Sequence, residues 1–406
     1  MNLSFFIAKR YLFSKNNRNA INIISGISVA VVAIATAALI IVLSSINGFA
    51  KLINGQIAVY APDLNITSTK GKTFIIDENA INKIKEITGV KDVVEVVEDN
   101  VLIKLEGRQK ICRLKGVTDN YVLNTGMNNR LVEGEFLLKD GKYSIGVIGI
   151  GIAYELGISV RAQSSFSIWL PNRKFVSVAN PMESFITTSI LPSGIVSVDN
   201  FIDESYIFVS IETARKLMIR KKNEVSSLEI FTYDNANILD IKNEIKTKLG
   251  GNFEIKTVYE QFDVYKVMKT ERIASFLIML FIIIVASFSI IGSLTMLIIE
   301  KKEDIQTLMS MGAKLSLIKK VFLLEGWLIS IIGALIGIFI GGAISYAQEL
   351  FEIVRFPAEG NYIVSAYPID IKLSDFIVTF FSVSSVGFLI AIYPLINLGK
   401  RLSMFK

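Results

Sequence analysis

The sequence predicts a membrane protein: four transmembrane α-helices, with a large α+β domain outside the cytoplasm between helices 1 and 2. Three observations predict it. The 406 residues are 51% hydrophobic and only 20% charged, with a mean hydropathy of +0.50, whereas soluble domains sit near 45–50% and about 25%. Residues 19–50, 273–299, 326–348 and 376–399 hold no Asp, Glu, Lys or Arg; each exceeds the roughly 20 residues that cross a bilayer core. Between the first two runs lie more than 200 residues of alternating strand and helix patterns. Four buried core helices in one soluble chain would be a poor alternative.

The elements follow in order. Residues 1–20 mix apolar residues with Lys9, Arg10, Lys15 and Arg18 and hold no acid; they read as an amphipathic segment on the cytoplasmic membrane surface. The first membrane helix, 21–48, is too long for a cleaved signal peptide and is retained. Its Gly26 and many Ala and Ser residues fit close helix packing in lipid.

The region 49–270 reads as the outer domain. A strand–helix–strand pattern occurs twice in it. DLNITSTKG, ENAINKIKEITGV and VVEVVEDNV form the first, with Ile81, Ile84 and Ile87 on one helix face; SSLEIFTYD, NILDIKNEIKTKLGG and NFEIKTVY form the second, with Ile238, Ile241, Ile245 and Leu249 in line and Gly250 as the stop. The two form one sub-domain, and about 105–222 is a strand-rich insertion including KYSIGVIGI, FSIWLP and KFVSV. One continuous α+β domain is the competing reading.

The second helix, 271–299, is preceded by the helical spacing of YEQFDVYKVMKTER and projects from the bilayer. Residues 300–318 follow as a charged segment, then helix three at 319–347, a short loop at 348–373, helix four at 374–398 with Pro394 near its end, and a tail at 399–406. The 1–20 segment and the tail carry bases and no acid; 300–320 carries five Lys against three acids; 349–375 carries five acids against two bases. The positive-inside rule places both termini and the 300–318 segment in the cytoplasm. The net charge of +6 needs only that rule, so nucleic acid is not implied.

Much chemistry is excluded. The absence of histidine removes Ser-His and Cys-His catalysis and the usual zinc sites. The lone Cys112 forms no intrachain disulfide and reads as strand filler. No GxxxxGK[ST] sequence is present, so the chain has no P-loop. No ionisable residue lies inside the four runs, and Glu325 stands at the edge of the third; a self-powered carrier usually needs such groups. Within EKKEDIQTLMSMGAK, Glu303 and Asp304 suit a helix N-terminus, Ile305, Leu308 and Met309 make an apolar face, and Gly312 stops the helix. That helix either rests on lipid or docks a cytoplasmic partner that supplies energy.

EKKEDIQTLMSMGAKLSLIKKVFLLEGWLISIIGALIG resembles the signature region of FtsX/MacB-type ABC-transporter permeases. FIAKRYLFSK, ISGISVAV, VLSSINGF, VIGIGIAYELGISV, SFSIWLP and VRFPAEGNYIVSAYPIDI resemble the LolC/LolE group of lipoprotein-releasing permeases within it. The resemblance covers nearly the whole chain. It implies a MacB-like outer domain and a coupling helix at 300–318. It implies a second permease subunit, the same or homologous, and a cytoplasmic ABC ATPase dimer that binds the ATP and Mg while this chain carries no cofactor, no metal site and no catalysis.

The implied substrate is an acylated lipoprotein taken from the outer leaflet of the inner membrane and handed to a periplasmic carrier. The lipid tails would enter an apolar cavity, with Leu43, Ile46 and Phe49 on the first helix and Phe262, Val267, Ile273 and Phe276 on the second as candidates by position. A carrier-binding hook would fall at about 171–186, exposing Pro181, Met182 and Phe185. A mechanical transmitter acting on an outer enzyme, a peptide exporter and a receptor without an ATPase are the competing functions.

Overall fold

The computed structural model describes residues 3–12, 20–141, 143–162, 164–172, 184–250, 252–356 and 366–396. KFVSV, Pro181, Met182 and the tail from 397 lie outside the described residues. The chain divides into two compact units: Ile53–Val267, and Met1–Leu52 with Met268–Lys406.

In the second of these, α1 (Leu3–Leu12) packs on α12 (Leu315–Phe351) through the small residues Ser4 and Ala8, and leaves Phe5, Phe6 and Arg10 exposed. Four helices have the length and apolarity to cross a membrane: α2 (Ala20–Ile57), α10 (Asp263–Glu300), α12 and α13 (Leu373–Ile396). All four run past or short of their sequence-predicted ends, α2 by a further nine residues at its outer end. Pro394 lies inside α13.

Water does not drive helices together in lipid; small residues and hydrogen bonds do. Three glycines one turn apart supply the approach on α12. A Cβ at Gly333 would lie 2.7 Å from Val32, one at Gly337 2.5 Å from Thr36, and one at Gly341 3.0 Å from Ile40. The glycine singled out in the sequence, Gly26, has nothing within 4 Å of such a Cβ. The close approach of α2 therefore depends on its partner's small residues. Serines join α2 to α10: Ser28 Oγ donates to the Ser289 carbonyl at 3.0 Å, and Ser25 meets Ser293 at 3.5 Å. Trp327 Nε1 donates to Ser384 Oγ across α12 and α13 at 3.0 Å.

The unit Ile53–Val267 contains β1 (Leu64–Ser68), β2 (Phe74–Ile75), α3 (Glu78–Lys85), β3 (Val90–Leu105), β4 (Arg108–Val117), α4 (Tyr121–Asn124), β5 (Leu131–Gly134), β6 (Ile145–Gly149), α5 (Ile150–Leu156) and β7 (Phe166–Pro171). It continues with β8 (Phe185–Val196), α6 (Asn200–Ser205), β9 (Tyr206–Ser210), α7 (Ile211–Leu217), β10 (Glu224–Val225), β11 (Ser227–Thr232), α8 (Ile238–Leu249), β12 (Phe253–Thr257) and α9 (Val258–Gln261). Ten strands share one sheet in the order β12-β1-β11-β3-β4-β9-β6-β8-β5, with β7 paired to both β3 and β8.

Both repeated strand–helix–strand units are present. They bury Ile81, Ile84 and Ile87 together with Ile241 and Ile245 in one core. The predicted insertion shares both its sheet and its cores with the rest of the unit: Val97, Val101 and Ile103 pack into one core and Tyr60, Val94, Val96 and Phe231 into the other, and β3, which ends at the expected boundary, pairs with β11 as well as with β4 and β7. Strands β3, β4, β9, β6, β8 and β7 form a closed circuit of pairing beside the first of those cores. The insertion is also less purely β than its composition suggests. GIAYEL, directly after the strand run KYSIGVIGI, forms most of α5, because Gly149 turns the chain and Gly157 at φ +75° ends the helix. Cys112 is buried in β4, and burial pushes its thiol up to about 12, which leaves it inert filler.

The chain enters and leaves this unit at one place. The Asp63 carbonyl accepts from Val258 N–H at 3.1 Å, and the rings of Tyr60 and Phe262 meet edge to face at 5.9 Å.

Candidate functional site

The charged segment between α10 and α12 forms α11 (Lys302–Ser310). Glu303 and Asp304 stand exposed in its first turn, where they complement the positive helix end. Lys301 reaches Asp304 at 3.1 Å. Gly312 at φ +90° closes the helix, and Ala313 N–H reaches back to the Leu308 carbonyl at 3.0 Å.

The three apolar residues of α11 do not form one outward face. Ile305 is buried with Leu297, Ile298, Ile318, Phe322 and Leu395 and anchors the helix to its own bundle. Leu308 is half-buried, and Met309 is exposed, as is Met311 just past the helix. A partner meeting α11 would touch Met309, Met311 and the acidic first turn, not Ile305.

At the other end of this unit, the acidic loop before α13 is stitched to α2. Gly48 lies so close to Pro368 and Ile369 that a Cβ there would sit 2.6 Å from the Ile369 nitrogen. Asp370 N–H donates to the Ser44 carbonyl at 3.0 Å, Lys51 pairs with Asp370 at 2.8 Å, and Asn47 donates to Asp375 at 2.5 Å. Gln348 of α12 holds both limbs of the loop: it donates to the carbonyls of Val354 and Tyr367 and accepts from Val354 N–H. Tyr367, Pro368, Ile369 and Asp370 belong to the sequence block AYPID, and their role had no signal beyond the resemblance.

The seven cavity candidates do not share one environment. Leu43, Ile46 and Phe49 are half-buried, and the Phe49 ring meets Tyr367 edge to face at 5.0 Å. Ile273 and Phe276 are more than half exposed on α10, within a face that also bares Leu277, Phe281 and Phe288. Val267 is exposed as well. Phe262 is a correction: it precedes α10 and packs against Tyr60 in the core of the outer unit. A ring following a capped turn read as part of the helix because its spacing fitted. Phe185 opens β8, partly exposed and edge to face with Trp169 at 5.8 Å.

Among the described residues no group of three potential metal ligands occurs. The outer unit does bury charge. Lys115 on β4 pairs with Glu229 on β11 at 2.7 Å and lies 4.8 Å from the Tyr121 ring centroid, with all three nearly inaccessible. Glu98 and Arg113 continue the cluster at 3.5 Å, and the Tyr206 hydroxyl accepts from Arg113 at 3.2 Å. Burial raises the Glu98 carboxyl, although Lys115 and Arg113 oppose the rise. The cluster faces Tyr60 and the hydrophobic core of the unit, which makes it internal bracing.

Residues 276–401 match the FtsX-like permease C-terminal family. The chain is 25% identical over 413 residues to the lipoprotein-releasing system transmembrane protein LolC of Neisseria meningitidis serogroup B, covering 97% of this chain and 95% of that one. It is 23% identical to LolE of Haemophilus influenzae, covering 98% of each. The chain resembles the lipoprotein-releasing transmembrane proteins from end to end. Among solved structures it is similar to the periplasmic region of MacB from Actinobacillus actinomycetemcomitans, at 12% identity and a TM-score of 0.36, covering 51% of this chain and 94% of that one. The likeness to the lipoprotein-releasing relatives thus spans both units, and the FtsX-like match takes in α11, α12 and α13 whole.

Proposed function

We propose that this chain is the permease subunit of an ATP-driven transporter that extracts acylated lipoproteins from the outer leaflet of the inner membrane and passes them to a periplasmic carrier. The observation that carries the reading is the likeness to lipoprotein-releasing proteins along 97–98% of the chain. The exposed end of α11 supports docking of a cytoplasmic ATPase dimer, which would bind the ATP and Mg. The bare apolar face of α10 supports contact with lipid tails and with a second permease subunit, the same or homologous. The chain performs no catalysis itself. Both termini lie in the cytoplasm and the Ile53–Val267 unit in the periplasm, a placement that the loop charges support.

Depletion of the protein in its native cell, followed by separation of the two membranes and a lipoprotein inventory, tests the reading. Lipoproteins should accumulate in the inner membrane. An unchanged distribution with failure of another envelope process would replace it with mechanical transmission to an outer enzyme.

A further inference from the structure

Among the described residues of the membrane-spanning unit, Glu325 is a buried ionisable group that this function leaves unused. It lies about three turns into α12. It is 0% exposed, and among the described residues neither carboxylate oxygen has a hydrogen-bond partner. Its neighbours along the helix are packed in apolar surroundings. Phe322 sits with Leu297 and Leu395, Gly326 touches Leu294 and Ala391, and Ile329 lies in the central cluster. Lys301 stands at the junction of α10 and α11, between Leu297, Ile298 and Ile305, which share a cluster with Phe322 one turn before Glu325.

Such a group needs an account. Buried side-chain oxygens nearly always find a partner, and an ionised carboxylate in an apolar interior is costly unless paired. A buried ionisable residue in a membrane-spanning helix marks a working part by default. Nothing in the static packing of α12 needs a carboxylate here, because a leucine or methionine would fill the same space.

Lys301 is placed to serve. Here it holds Asp304, which is about half exposed, and a surface pair of that kind is weak. Exchanging Asp304 for Glu325 would leave Asp304 to water and give the buried carboxylate its missing partner. Desolvating the ammonium opposes the exchange, while relief of an unpaired buried carboxylate favours it. Small movements of α11 can then decide between them.

We propose that Glu325 is the buried half of an ion pair that Lys301 completes when α11 shifts toward the bundle. Glu325 is then a positioning residue, tying the place of the coupling helix to the packing of α10, α12 and α13. The proposal deepens the reading of α11 as the docking element and rests on it.

The test uses the full transporter with its ATPase in lipid nanodiscs. Glu325→Gln and Lys301→Gln should each lower lipoprotein release per ATP hydrolysed by about tenfold, and the double variant should be no worse than either alone. The ATPase should still co-purify, and Glu325→Gln should melt no lower than the unaltered chain, which a merely structural role would not allow. Release within about twofold of the unaltered level in Glu325→Gln, or losses that multiply in the double variant, would overturn the pair. A second measurement does not need the ATPase. Lys301→Cys and Glu325→Cys, introduced together, should be joined in membranes by a bifunctional thiol reagent as long as the two side chains they replace, since a direct disulfide would demand a closer backbone approach than an ion pair does, and absence of the cross-link refutes the approach. If the cross-link forms but no ATPase associates with the unaltered chain, the pair stands and the docking reading falls.

Discussion

Lys115 and Glu229 form an ion pair in which each side chain is under a tenth exposed. Removing one partner strands the other charge, which typically costs about 3–5 kcal/mol. Lys115→Met should therefore lower the thermal midpoint of the outer unit sharply, and Lys115→Met with Glu229→Leu should recover much of the loss. Asp203 gives a pH test. Burial raises its carboxyl, against the opposing hydrogen bonds from Val198 N–H and Ser197. Its contribution is complete below the ordinary aspartate value of 3.8 and is lost as pH rises through the raised folded value. The midpoint of Asp203→Asn relative to the unaltered protein should therefore rise between about pH 4 and pH 8. A flat difference would mean that Asp203 does not titrate above its ordinary value. None of these roles was legible in the sequence. Lys115 sits in a strand with Arg113 and Lys110 beside it, and only the fold turns one of the three inward. Glu325 stands just outside the third uncharged run and inside the helix expected at 319–347; what the sequence does not show is that its carboxylate is fully buried.

Among the elements, the four long helices and the two strand–helix–strand repeats were plain from hydrophobic spacing, because each is long and periodic. Short turns of helix inside the insertion were not, since four to seven residues carry no period. The glycines of α12 make a direct comparison. Gly337→Ala would push a Cβ against Thr36 and the Ala33 backbone. Overpacking of this kind costs about 1–3 kcal/mol, read as a lower midpoint in detergent. Gly26→Ala meets nothing within 4 Å and should be neutral or slightly stabilising, since alanine favours a helix. For α11, Met309→Glu should abolish ATPase co-purification while leaving membrane insertion intact. Ile305→Glu cannot test docking, because it would bury a charge in the bundle. Retention of the ATPase by Met309→Glu would remove α11 as its contact.

Across the whole molecule, the four-helix order followed from uncharged runs, and the assignment of sides from loop charge. Both arguments use quantities that survive without coordinates. Strand order does not, because pairing partners far apart in sequence leave no local trace: β1 sits between β11 and β12. The boundary expected at about 105–222 leaves no such trace in the packing: two of the three cores of the outer unit take residues from both sides of it, and one sheet joins them.

That strand order has a consequence for how the protein is made. Leu64 pairs with Ile230 on one side and with Thr257 on the other. The first strand to leave the membrane is thus completed by the last two. A chain synthesised from its N-terminus must hold β1 open until nearly the whole outer unit has emerged, and pairings so distant form slowly. An unpaired strand kept waiting beside a lipid surface is a site for aggregation. Truncation within α8 or β12 should leave a chain that inserts α2 and is then degraded, rather than one that keeps a smaller folded domain.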